Sequence, residues 1–292
     1  MPDPWIYAWS LTAAAAVSAW GFWIARRLGA ERARVASYVE EAAVVTAVLI
    51  GAAVIGLQAR WPPSNGLSRL FLIVLPAVAL SAQRFTSGRG RAVWWALCLA
   101  APWILWWKSV YSPATAWDAT ASFVSSCTAY IASVLMLAGT VESAAGLAAR
   151  IDRRAVSAVL SASLVAAGML IAMAGYLQGG AAAVPLAGAL VGSCLVARPV
   201  AADSSRTRIA TWGAAGLWGV LFVGRFFGAI TTADAAATAA VPSLGWAAVW
   251  LMRRGCSPRV AVILYGVVAA LLLGGWLAWG VVLFRERLGR LA

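Results

Sequence analysis

No histidine occurs in the 292 residues, and only 10 side chains are acidic against 23 that are basic. The first absence excludes haem ligation by imidazole, zinc sites that need His, and every catalytic triad with an imidazole base. Cysteine is sparse as well. Cys98, Cys127, Cys194 and Cys256 are scattered without a C-x-x-C pair. The first three fall in apolar segments, where a thiol behaves as a small hydrophobe, and Cys256 lies in a loop read as cytoplasmic and reducing. No disulfide, metal centre or bound cofactor is expected from this set. Charge is scarce too, at 11% of residues, where a soluble domain carries about 25%.

What remains is apolar. Hydrophobic residues make up 63% of the chain, and the mean hydropathy is +0.84. The fold expected is all-α, a polytopic integral membrane helix bundle in a single membrane domain spanning 1–292. A bilayer core of about 30 Å takes about 20 apolar residues as a helix. Ten segments qualify as spans: Trp5–Ala25, Ser37–Leu57, Leu67–Gln83, Ala92–Trp107, Ala119–Thr140, Ala155–Leu177, Ala181–Ala197, Ile209–Ile230, Ala235–Met252 and Val260–Phe284. The residues before the first span carry no positive side chain, and Arg26 and Arg27 follow it. It therefore reads as an uncleaved helix with its N-terminus outside, not as a signal peptide.

The basic residues provide an independent check on that count. With the N-terminus outside, the cytoplasmic loops hold 16 of the 23 basic residues, in clusters such as Arg26 to Arg34, Arg84 to Arg91, Arg150 to Arg154, Arg198 to Arg208 and Arg253 to Arg259. The opposite side holds Arg60, Arg69, Lys108 and the tail residues Arg285, Arg287 and Arg290. Lys and Arg resist translocation, so the asymmetry supports a plasma (inner) membrane protein in this orientation. The same accounting explains the net charge of +13. One small cluster per loop fits contact with anionic headgroups and forms no groove for a nucleic acid, so no nucleic-acid partner is expected. Trp5, Trp9, Trp61, Trp103, Trp106, Trp107 and Trp117 fall at one predicted boundary, and Trp20, Trp23, Trp94, Trp95 and Trp250 toward the other. They read as an aromatic belt. A sharper reading of Trp103, Trp106 and Trp107 is an aromatic cage for a quaternary ammonium group.

Two stretches resemble each other: Ala25-Arg-Arg-Leu-Gly-Ala-Glu31-Arg-Ala-Arg34 and Ala197-Arg-Pro-Val-Ala-Ala-Asp203-Ser-Ser-Arg-Thr-Arg208. Pro76 in the third span has a counterpart in Pro242 of the ninth. Spans one to four (1–110) would then recur as spans seven to ten (179–292), with 111–178 connecting them. An offset of six spans preserves orientation, so the repeat is parallel. The alternative is that Ala- and Arg-rich loops match by convergence.

Few residues are costly in lipid. Arg225 lies inside the eighth span, where an unpaired Arg at the bilayer centre costs at least about 2.5–3.5 kcal/mol. Asp234 and Asp118 are the nearest acidic candidates at its depth. The set reads as an anion site or gating pair, or as a snorkelling Arg. Glu40 and Glu41 open the second span and Glu142 closes the fifth, giving either a cation or proton relay or simple pairing with loop arginines. Pro76 and Pro242 interrupt spans and free backbone carbonyls, a pointer to a transport site or a packing kink. Gly188 to Gly192 and Gly224 to Gly228 have the G-x-x-x-G spacing of close helix packing, and Ser126, Ser133 and Thr140 form a polar stripe on the fifth span. The function expected is a non-catalytic membrane subunit or scaffold, with protein partners or a second copy of the chain as associates. The alternative is a transporter or permease for a small solute, and an intramembrane enzyme ranks last because no nucleophile has a recognisable base.

Overall fold

The computed structural model describes residues 3–28, 32–57, 61–63, 65–82, 88–107, 120–196 and 203–289, and among them every regular element is a helix. Helices α1 (Pro4–Arg27) and α2 (Ala33–Val54) come first. A continuous rod follows, in which α3 (Gly66–Arg69) passes through a π-helical turn (Leu70–Val74) into α4 (Leu75–Ala82). Next are α5 (Gly88–Trp106), α6 (Thr120–Ala148) and α7 (Arg153–Met173), and then α8 (Leu177–Ala181) leading into α9 (Ala183–Val196). The chain continues as α10 (Asp203–Phe227), an interrupted rod of α11 (Thr232–Ala240), a 3-10 turn (Val241–Leu244) and α12 (Gly245–Arg253), and finally α13 (Pro258–Gly289).

Each apolar segment of the sequence overlaps one of these rods. Among the described residues, seven stretches are long and apolar enough to cross a membrane: Pro4–Arg27, Val124–Ala148, Arg153–Met173, Leu177–Val196, Arg208–Phe227, Thr232–Arg253 and Pro258–Glu286. The chain is thus an all-α membrane bundle, with α2, the α3–α4 rod and α5 falling outside that group of seven. Local signals set several helix ends. Asp3 caps α1 by accepting from the Trp5 N–H, and Asp152 caps α7 by accepting from the Arg154 N–H. Gly175 and Gly255, with φ of 94° and 93°, turn the chain after α7 and α12, a left-handed conformation that Gly adopts without a Cβ penalty.

Helix α10 is the axis of the bundle. Every residue from 209 to 224 is buried, as expected for a helix apolar all round. α4, α6, α7, α9 and α11 pack around it. On one flank, α1 lies along both α2 and α9. That seam is made by small residues: a Cβ on Gly192 would lie 2.1 Å from the Ala15 carbonyl oxygen, and one on Gly188 would lie 2.6 Å from that of Leu11. Ser18 Oγ donates across it to the Ala189 carbonyl at 2.8 Å. The G-x-x-x-G pair at 188 and 192 therefore brings two backbones together, the usual role of such spacing in lipid. The corresponding close neighbours of Gly224 are side-chain atoms of Ile171 in α7.

The aromatic belt needs one correction. Trp5, Trp9, Trp20, Trp61, Trp107 and Trp250 are exposed, as a belt requires. Trp94 and Trp106, however, are 0% and 1% exposed and belong to the core. Trp106 packs edge-on against Phe226 at 4.7 Å between ring centroids and also touches Phe222 and Tyr130. Adjacent residues on a helix diverge by about 100°, so Trp106 turns inward while Trp107 is exposed; Trp103, one turn back, is exposed as well. The three do not form a common cage. Trp117 lies outside the described residues.

Candidate functional site

A cavity of about 460 Å³ lies between α6, α10 and α11, within the roughly 300–1,000 Å³ range of small-molecule sites. One wall is α6, with Ala129, Ala132, Ser133, Met136, Gly139 and Thr140. The facing wall is α11 and the start of the 3-10 turn, with Ala235, Ala236, Ala239, Ala240 and Ser243. The floor is α10, with Trp218, Leu221 and Phe222. Ala132, Gly139, Ala236 and Ala240 are exposed, so the cavity is a slot open along the side of the bundle.

Small residues on both walls would let α6 and α11 close on each other. Bulk beneath them and ties at each end accompany the gap. Trp218 is fixed in the floor by its Nε1–H, which donates to the Ser133 carbonyl at 3.0 Å, and it packs at a tilt against Phe222, 5.2 Å between ring centroids. At the inner end, Ser143 Oγ donates to Ser243 Oγ at 3.1 Å and accepts from Trp246 Nε1 at 2.9 Å. At the other end, Arg225 Nε donates to Thr232 Oγ1 at 2.8 Å. The slot is thus apolar along its length and cationic at one end.

Arg225 is half-buried, two residues from the end of α10. Among the described residues no carboxylate lies within 4 Å of it. Asp234 does not face it. That side chain completes a capping box, accepting from the Thr231 N–H at 3.2 Å and from Thr231 Oγ1 at 2.7 Å. It lines a separate crevice of about 50 Å³ with Trp276 and Trp279 of α13. Asp118 lies outside the described residues. Thr232 was not singled out from the sequence, although a hydroxyl opening an Ala-rich helix, seven residues after a lone Arg, is the signal that could have found it.

The other candidates divide between two places. Glu41 Oε1 meets Arg208 Nη1 at 2.6 Å, with both side chains 17% exposed, which joins the first half of α2 to the N-terminal part of α10. Arg153 is buried beside them with its guanidinium 4.9 Å over the Phe22 ring. Glu142 is exposed and accepts from Trp94 Nε1 at 3.3 Å. The three carboxylates are therefore not gathered into one relay: Glu40 and Glu41 sit among α2, α7 and α10, and Glu142 lies against α5.

The two proline breaks also differ. Pro76 follows the π-helical turn, in which the Leu75 N–H reaches back to the Leu70 carbonyl. Pro242 opens the 3-10 turn, and its own carbonyl accepts from Tyr265 Oη at 2.9 Å. The Gly245 N–H reaches the same oxygen, so the backbone of the turn and a neighbouring hydroxyl satisfy it together, as the interior of a membrane requires of a broken helix. The polar stripe of α6 follows the same rule: Ser133 and Thr140 donate to the carbonyls one turn back, Ala129 and Met136. All four cysteines are free thiols.

Compared with protein-family models, with curated proteins and with solved structures, the chain matches none of them. The reading of the slot rests on its own geometry.

Proposed function

We propose that this chain is a non-catalytic component of the plasma (inner) membrane that works by binding within the plane of the bilayer, as a subunit or scaffold does. The observation that carries this reading is the encased axis. Residues 209 to 224 of α10 are buried on all sides, and the large cavity opens to the flank of the bundle, where a membrane ligand or partner has access. The reading places the N-terminus outside and the arginine-rich helix ends, among them Arg26, Arg27, Arg150, Arg154, Arg253 and Arg254, against cytoplasmic anionic headgroups. It includes ten spans, since a helical rod overlaps each apolar segment of the sequence.

A transporter or permease is the second reading. It is favoured by the 3-10 interruption at Pro242 beside the slot and the π-helical turn before Pro76, because broken helices often line transport sites. Proteoliposomes holding the full chain, tested with anionic, cationic and neutral small solutes, separate the two. The binding reading predicts uptake equal to that of protein-free liposomes. Uptake of any solute that is lost in Arg225→Ala establishes transport instead. The orientation has its own test: Ser257→Cys, exposed after α12, is expected to resist an impermeant thiol reagent in intact cells. Its prompt labelling would reverse the topology.

A further inference from the structure

We propose that the slot between α6 and α11 is a site for one acidic phospholipid of the bilayer, with its phosphate on Arg225 and one acyl chain lying along the Ala-rich walls. This deepens the in-plane binding reading and rests on it.

Length is the first argument. The slot runs from Thr232 on α11 to Ser243 in the 3-10 turn, and on α6 from Ala129 to Thr140, where it is about 16 Å long at 1.5 Å per residue. That is about half of a 30 Å hydrocarbon core, the depth of one leaflet. Its polar end lies near the end of α10, at the level where the next helix begins. The slot therefore has the orientation and reach of a single lipid, head at the surface and tail toward the middle of the bilayer.

Charge is the second. Arg225 is the sole charged residue in the lining, and no Asp or Glu contributes to it. Its one hydrogen bond among the described residues uses Nε, which leaves the two terminal nitrogens to meet an anion. A guanidinium presents them as a planar fork that matches phosphate oxygens. The Thr232 bond fixes the base of that fork. The hydroxyls at the inner end are already engaged, Thr140 to the Met136 carbonyl and Ser243 to Ser143. Nothing at the inner end asks for a second polar group, which suits a tail.

Shape is the third. A second helix lies well against a shallow face of small residues, but here the floor is set back behind the walls. The slot is deep enough for α10 side chains to line it. Gly139 shows the room available: a Cβ there would meet no atom within 4 Å. An unfilled slot of this kind forfeits dispersion contacts along its whole lining, and an acyl chain restores them without displacing a helix.

The test uses the full chain in phosphatidylcholine vesicles carrying a trace of phosphatidylglycerol or phosphatidylcholine with a photoactivatable group in the tail. Labelled peptides from α6 and α11 are then quantified. Both lipids bring a phosphate to Arg225, but the choline ammonium of the zwitterionic one offsets that charge beside the guanidinium; wild type is therefore expected to take the acidic lipid about tenfold more, a charge difference of about 1.4 kcal/mol. Arg225→Gln should bring that ratio close to one while tail labelling persists. Gly139→Leu, which fills the slot, should abolish labelling by both lipids with the unfolding midpoint retained. Ala236→Leu on the opposite wall is the second block, should the first variant fold poorly. Equal labelling by the two lipids in wild type would overturn the proposal. So would undiminished labelling in the filled variants, or a crosslinked dimer through α6, which would mark a second copy as the occupant. Solute uptake in the proteoliposome assay overturns the non-transport reading alone and leaves the lipid result to stand separately.

Discussion

Along α1 and α9, Ala14, Gly188 and Gly192 bring two helices into backbone contact; along α6 and α11, Ala132, Gly139, Ala236 and Ala240 line a slot of about 460 Å³. Both pairs have the small residues that permit close approach in lipid. The difference lies in what stands behind them. Ser18 ties α1 to α9 across their seam, whereas Trp218, Leu221 and Phe222 of α10 lie beneath the slot as its floor. Small residues allow closure; a third helix decides whether it happens.

The comparison breaks most sharply at Gly192. Its Cβ position lies 2.1 Å from the Ala15 carbonyl oxygen, so Gly192→Leu must push backbone away from backbone. Overpacking typically costs about 1–3 kcal/mol and occasionally more; a backbone clash belongs at the upper end, and the expected outcome is a large fall in the denaturation midpoint of the purified chain in mild detergent. Glu41→Gln is next, because it leaves Arg208 without its 2.6 Å carboxylate partner at a site only 17% exposed. Loss of a charge-assisted bond there should cost about 1.5–3 kcal/mol. Tyr265→Phe removes the hydroxyl that serves the Pro242 carbonyl at the 2.9 Å contact. An effect of about 1 kcal/mol is expected in the same measurement, and no change at all would mean that the Gly245 N–H alone satisfies that carbonyl.

How far the sequence foretells these places follows from physics that acts along one helix or across several. Helical segments and the exceptional position of Arg225 are legible because hydropathy and charge are properties of single segments. The inward turn of Trp106 was within reach as well, since its neighbour Trp107 points about 100° away on the same helix. The belt reading treated the two alike, and the structure separates them. The slot was not legible. Gly139 and Gly192 look alike in sequence, and only the arrangement of α10 behind one and α1 against the other tells them apart. Glu41 shows an intermediate case: pairing with a loop Arg was anticipated, but the partner is Arg208, 167 residues away and inside α10, a choice set by packing. Of the two resembling stretches behind the parallel repeat of 1–110 and 179–292, residues 29–31 and 197–202 lie outside the described residues.

The most direct measurement of the central contrast is the denaturation midpoint of Gly139→Leu, taken beside Gly192→Leu in the same detergent. A Cβ at 139 meets nothing within 4 Å, and replacing a helical Gly with Leu favours the helix by up to about 1 kcal/mol. The account predicts a midpoint equal to or above that of the wild type. A loss as large as that of Gly192→Leu would show that α6 and α11 close on each other in the folded chain, and would contradict the open slot.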